Sequence, residues 1–244
     1  MDNSIYITLS RQVALFRDMD ATANNIANAN TTGYNSEHIK FESYLTKDIN
    51  MGNHNKMAFA YDISTYRNTK VGSQKVTNNP LDVAINGNGY FAVQTPLGIR
   101  YTRAGNFQLA SDGTLITSEG HPVLDVSNQA ISFPDNTNTI EIGDIGNIKV
   151  NGEDFGQINV VQFENEQLLE RAGHTLYSTD ASPTPADPSQ VSVAHGVLEN
   201  SNVEPVLELT HMIQVSRSVS STAKFIETMY DLQRKAANAW AQQA

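Results

Sequence analysis

Ala23-Asn24-Asn25-Ile26-Ala27-Asn28-Ala29-Asn30-Thr31-Thr32-Gly33-Tyr34-Asn35 lies near the start of a 244-residue chain. Asn24, Asn25, Asn28 and Asn30 crowd onto what should be the end of an amphipathic helix, and Thr31-Thr32-Gly33 closes it. Asparagine is a mediocre helix former because its amide competes with the backbone for hydrogen bonds. A helix end carrying four of them wants caps or partners for those amides. Gly33 suits the left-handed conformation that ends many helices. The stretch reads as a joint.

Upstream, apolar residues fall at Tyr6, Leu9, Val13, Phe16, Met19, Ala23 and Ile26, at steps of 3, 4, 3, 3, 4 and 3. Those steps place one narrow stripe on a helix. A helix over about residues 3–29 would be roughly 40 Å long. A seam this narrow suits another helix better than a broad core. The other end of the chain supplies one. Leu209, Met212, Ser216, Val219, Ala223, Ile226, Tyr230, Gln233, Ala237 and Trp240 are spaced 3, 4, 3, 4, 3, 4, 3, 4, 3, an unbroken heptad seam. Ser201-Asn202-Val203-Glu204 has the spacing of a capping box, and Pro205 is tolerated in a first turn. The two ends are expected to pair as an antiparallel coiled coil. One pair cannot cover both flanks of each helix, so it should want further copies.

Between the ends the period changes. Residues 36–80 are expected to connect, with Phe41, Tyr44 and Leu45 continuing a short apolar face. An exposed loop is expected at 48–57, followed by one or two extended segments. From Leu81 short alternating runs are separated by Asn86-Gly87, Pro96-Leu97-Gly98, Ser111-Asp112-Gly113 and Glu119-Gly120. Short strands with such turns indicate an antiparallel sandwich- or barrel-like domain over 81–199. Asn-Gly between two apolar runs predicts a hairpin there. Residues 180–190 hold three prolines and read as a surface loop, with a last extended stretch at Val191–Leu198. The expected fold is therefore α+β. Residues 1–35 and 200–244 form a helical domain, 36–80 a connection and 81–199 a β-rich domain.

Composition narrows function. There are 16 Lys+Arg against 26 Asp+Glu, a net charge of −10, and no basic run, which argues against nucleic acid. Cysteine is absent, which excludes disulfides, zinc ribbons and cysteine nucleophiles. No segment approaches the roughly 20 apolar residues of a membrane span, so no membrane insertion is expected. Met1–Gln12 lacks a basic region followed by an apolar core, so no cleaved Sec-type signal is expected.

Catalytic signals are weak. Gly87-Asn88-Gly89-Tyr90-Phe91-Ala92 matches the loose dinucleotide pattern, but strand-like residues and Pro96 follow where that pattern needs a helix. His38, His54, His121, His174, His195 and His211 are dispersed without ligand spacing. Glu164 and Glu166 would share a face if their strand continued, the one carboxylate pair that a glycan-processing reading could use. No catalytic residue, metal or cofactor is expected.

Four blocks then carry a resemblance: Ala23–Tyr34, Pro80–Phe91, Tyr101–Phe107 and Ser201–Arg217. Together with Met1–Gln12, the chain resembles the flagellar rod and hook axial proteins, and most of all their proximal-rod members. The resemblance implies a non-enzymatic subunit of the basal-body rod crossing the periplasm. It implies export through the flagellar type III apparatus with an uncleaved N-terminus. The partners implied are copies of the chain and other proximal- and distal-rod proteins. Distal-rod and hook subunits differ from this reading in position only. The assembly residues expected are Leu9, Val13, Phe16, Ala23, Asn24, Asn25, Ile26, Asn28, Asn30 and Gly33, with Leu209, Met212, Val219, Ile226, Tyr230 and Trp240. Asn35, where many relatives have a basic residue, and Val219, where many have an aromatic one, depart from the family pattern.

Overall fold

The computed structural model describes residues 2–47, 56–134, 136–137 and 139–241, excepting the side chains of 2–4, 6, 41–47, 56–63 and 240. The loop expected at 48–57 falls largely outside the described residues, as do the side chains of Tyr6, Phe41, Tyr44, Leu45 and Trp240.

In chain order the elements are α1 (Asp2–Ala27), β1 (Glu37–Lys47), β2 (Lys56–Arg67), β3 (Gln74–Val76), β4 (Val83–Asn86), β5 (Tyr90–Thr95) and β6 (Gly98–Thr102). Then follow β7 (Gln108–Leu109), β8 (Leu115–Ile116), β9 (Ile140–Ile142), β10 (Asn147–Val150), β11 (Glu153–Gln157) and β12 (Val160–Gln162). The chain closes with β13 (Glu170–Arg171), β14 (Leu176–Ser178), β15 (Thr184–Pro185), β16 (Ser192–His195), β17 (Val197–Glu199) and α2 (Pro205–Ala241). The fold is α+β and separates into two compact units. One holds Met1–Ala27, Glu37–Arg67 and Glu204–Ala244; the other holds Asn28–Ser36 and Asn68–Val203.

In the first unit α1 and α2 pair, and β1 and β2 form a long antiparallel hairpin with a bulge between Glu42 and Ser43. The helices run antiparallel. Asp18 meets His211, while Ile7 and Arg11 line one groove with Arg217 and Phe225. Pro205 opens α2, where its missing N–H costs nothing. The expected capping box does not form. The Ser201 hydroxyl accepts from the Val203 N–H instead, and the first helical bond runs from the Glu208 N–H to the Glu204 carbonyl. Pro205 is the reason: its ring favours extended backbone at Glu204, so the helix cannot start earlier.

The second unit is built on a six-stranded antiparallel sheet in the order β13-β14-β6-β5-β12-β15. Pro185 sits on its edge strand, the place in a sheet where a missing donor is tolerated. Both faces of β5 are buried. Phe91 and Val93 join one apolar cluster with Val83, Ile85, Phe107 and Ile148, while Tyr90 and Ala92 join another with Tyr101, Phe163 and Tyr177. The Pro96-Leu97 turn closes a β5–β6 hairpin, and the Ser111–Gly113 turn joins β7 to β8.

The Asn86-Gly87 turn differs from expectation. It makes no hairpin ladder, because β4 pairs with β16 while β5 pairs with β6 and β12. Gly87 takes the expected positive φ of 97°. The turn therefore carries the chain from one sheet to another. The residues after it form β5, a strand, so the dinucleotide pattern lacks its helix.

Candidate assembly site

In the helical unit the buried faces mix polar and aliphatic residues. On α1 they are Ala14, Asp18, Thr22 and Asn25, and on α2 Glu208, Val215 and Thr222, seven residues apart. The Asp18 carboxylate lies 3.1 Å from His211 Nε2, and Glu208 lies 4.0 Å from His38 Nε2. Thr22 returns its hydroxyl to the Asp18 carbonyl at 2.8 Å. Asn25, fully buried, pairs with Glu37 as a strand neighbour would: its amide donates to the Glu37 carbonyl at 2.8 Å, and its oxygen accepts the Glu37 N–H at 3.0 Å. An asparagine on a helix thus supplies hydrogen bonds to the first residue of β1. The joint foreseen in the Asn-rich stretch is, at Asn25, a contact within the chain.

The apolar stripe faces elsewhere. Leu9, Val13 and Phe16 are 49%, 45% and 43% exposed. Ala23, Leu209 and Tyr230 are exposed as well, while Ile26, Met212, Val219 and Ile226 are half-buried. On α2 the buried seam lies one residue out of step with the apolar heptad, at 208, 215 and 222 rather than 209, 216 and 223. Asn24 and Asn30 are exposed, and Asn28 is half-buried, accepting the Thr31 hydroxyl at 3.1 Å.

In the β-rich unit a second arrangement holds Asn28–Ser36, the segment that follows α1. Gly33 lies six residues beyond the helix end, so it does not cap α1. Its φ is 67° and its N–H donates to the Glu199 carbonyl at 2.8 Å. A Cβ there would stand 2.4 Å from the Ala104 nitrogen, so only glycine lets the segment approach. Glu199 and Arg103 are 1% and 2% exposed and form an ion pair at 2.8 Å. The same guanidinium donates to the carbonyls of Ile85, Gly87 and Gly89, and Glu199 accepts the Gly72 N–H. Arg103 thereby serves the carbonyls that the turn at Asn86-Gly87 leaves without a ladder. Asn202 completes the arrangement, accepting the Ser36 N–H and donating to the Asn68 and Lys70 carbonyls. Arg171 stacks on Tyr34, 4.5 Å from the ring centre, and donates to the Asn35 carbonyl at 2.9 Å.

Sequence reasoning placed Arg103 and Asn202 inside family blocks without assigning them a task, and it passed over Glu199 and Arg171. Arg103 and Glu199 lie 96 positions apart, with no local pattern to couple them. One signal was available, an arginine directly after the strand-forming residues of β6.

The chemistry of catalysis is not assembled here. β12 ends at Gln162, so Glu164 and Glu166 do not continue a strand face. Glu164 is exposed and Glu166 accepts the Tyr90 hydroxyl at 2.9 Å. Among the described residues no group of three or more His, Asp or Glu could hold a metal ion, and no helix is long and apolar enough to cross a membrane.

Three family models match segments of the chain. Residues 5–35 match that described as flagella basal body rod protein. Residues 84–150 match the flagellar hook protein FlgE/F/G D1 domain, and 194–239 the flagellar basal body rod FlgEFG protein C-terminal. The flagellar basal-body rod protein FlgF of Caulobacter vibrioides is 35% identical over 97% of both chains, and that of Mesorhizobium japonicum 38% over 91% of both. The rod protein FlgG of Bacillus subtilis is 31% identical over 98% of this chain and 99% of its own length.

Proposed function

The chain belongs to the flagellar basal-body rod FlgE/F/G family and is a FlgF-like, non-enzymatic proximal-rod subunit, and from that premise we propose how it is built into the rod. Family membership implies assembly with other axial rod proteins. The helices at the two ends of the chain, α1 and α2, form the inner layer of the tube. Copies of the chain and the adjoining proximal- and distal-rod proteins cover Leu9, Val13, Phe16, Leu209 and Tyr230. The rod crosses the periplasm, and the chain reaches it through the flagellar type III apparatus with its N-terminus intact.

The observation that carries this reading is the mismatch of seams. The helices bury Asp18, Thr22, Glu208 and Thr222 and leave Leu9, Val13, Phe16, Leu209 and Tyr230 of the apolar stripe exposed. A stripe of that kind is covered by a partner rather than left in water. Contacts between unlike surfaces generate helical assemblies wherever the rotation between copies does not close a ring.

The test is complementation of a strain lacking the gene with Phe16→Asp and Leu209→Asp variants, scored by motility and by imaging of basal bodies. The expected result is basal bodies truncated in the proximal rod, with the purified variants unfolding as the wild type does. Wild-type rods from both variants would refute the proposed packing.

A further inference from the structure

The groove between α1 and α2 near the start of α1 measures about 570 Å³ and carries Arg11 on one wall and Arg217 on the other. Ile7, Ser218, Ser221 and Phe225 share its lining. Neither arginine meets a carboxylate among the described residues. Two arginines lining one cleft together with hydroxyl-bearing and apolar side chains can form a receptor for a pair of carboxylates.

The chain also carries the complement. Counting back along both helices from the Asp18–His211 contact brings Asp2 opposite residue 227. α2 therefore runs about 14 residues, or roughly 21 Å, past the start of α1. Glu227 and Asp231 open this overhang, both exposed and four residues apart, so they share one helix face with Tyr230 beside them. Their own chain cannot bring them to Arg217, which stands ten residues back, about 15 Å along the same helix. Asp231 meets only Arg234, a surface pair of the kind that contributes little.

We propose that the Arg11–Arg217 groove receives the Glu227–Asp231 face of a second copy of this chain. Tyr230 of the incoming helix packs on the rim formed by Ile7 and Phe225. The contact joins two different surfaces, so each copy offers one of each and the contact can repeat from copy to copy. This rests on the rod reading for its setting, but it makes a separate claim about which residues meet.

The absence of cysteine makes the test direct. Full-length Ser221→Cys and Tyr230→Cys chains are mixed, oxidised and run without reductant. Within one chain these positions are about 14 Å apart on one helix, too far for a disulfide, so every bridge is between copies. The expected result is a heterodimer well above the homodimers formed by either variant alone. Adding Arg11→Glu and Arg217→Glu to the Ser221→Cys chain lowers its yield at least tenfold. Placing Glu227→Arg and Asp231→Arg on the Tyr230→Cys chain restores it. Should the double reversal unfold the helices by circular dichroism, Arg217→Gln alone is read in its place.

A heterodimer yield no higher than the homodimers, or one indifferent to the charge reversals, overturns the proposal. So does charge-dependent capture of the chain by phosphatidylglycerol vesicles without any cross-link, which would make the groove a lipid site. Motility restored by the unmodified gene reports on the rod reading by itself. A motile complement lacking the cross-link would sink the pairing and leave that reading standing.

Discussion

The two units of this protein solve the burial problem in opposite ways. The β-rich unit takes its large apolar side chains out of water: Tyr90, Phe91, Ile85 and Leu115 are wholly enclosed. The helical unit buries Asp18, Thr22, Asn25 and Glu208 and leaves Leu9, Val13 and Phe16 outside. Burial of apolar area is the dominant favourable term in folding and in association alike. The first unit has realised that term within one chain, and the second leaves part of it unrealised at Leu9, Val13 and Phe16.

Breaking the β core should do the most damage. Phe91→Ala removes a fully enclosed ring and should cost about 3–5 kcal/mol by urea unfolding, whereas Phe16→Ala should change monomer stability by less than about 0.5 kcal/mol. Equal effects from the two substitutions would erase the contrast. Arg103→Met should cost on the order of 3–5 kcal/mol, because the Glu199 carboxylate would be left buried without its cation. A double Arg103→Met, Glu199→Leu variant should recover part of that loss in the same titration. Both the left-handed φ and the close approach to Ala104 oppose Gly33→Ala, which should cost roughly 1–3 kcal/mol. Its mark should be faster hydrogen exchange at the Gly33 amide with the β4–β16 ladder still protected. Asn25→Ala should cost about 1–3 kcal/mol by removing both of its hydrogen bonds to the Glu37 backbone. Exchange at Glu37 should rise in that variant while the apolar core of the other unit is unmoved. Exchange rising throughout the β-rich unit instead would mean that the two units fold as one.

Much of this architecture was legible beforehand because its causes are local. Heptad spacing predicted α2, and Pro205 at its start fits a first turn. The turns at Pro96-Leu97 and Ser111–Gly113 joined the strands on either side of them. Gly33 was expected in the left-handed conformation, and it adopts it. Reading went astray where the deciding partner was distant. Asn86-Gly87 does turn the chain, but the strand that pairs with β4 lies about a hundred residues away, at Ser192–His195. Ser201 had the spacing of a cap, and Pro205 displaced the helix start beyond its reach.

By itself, then, the sequence determined the periodic helices at both ends, the antiparallel β-rich middle and the family of the chain. These follow from side-chain periodicity and from turn chemistry acting over a few residues. Tertiary structure alone decided which face of each helix turns inward. A polar stripe and an apolar stripe have the same period and differ on α2 by a single residue, so spacing cannot rank them. The choice was made by groups far off in the chain. Asn25 meets Glu37, Asp18 meets His211, and Glu208 meets His38. Asp18, Asn25 and Glu208 lie inward at those contacts, and Leu9, Val13 and Phe16 are left exposed, the surface proposed above for neighbouring subunits.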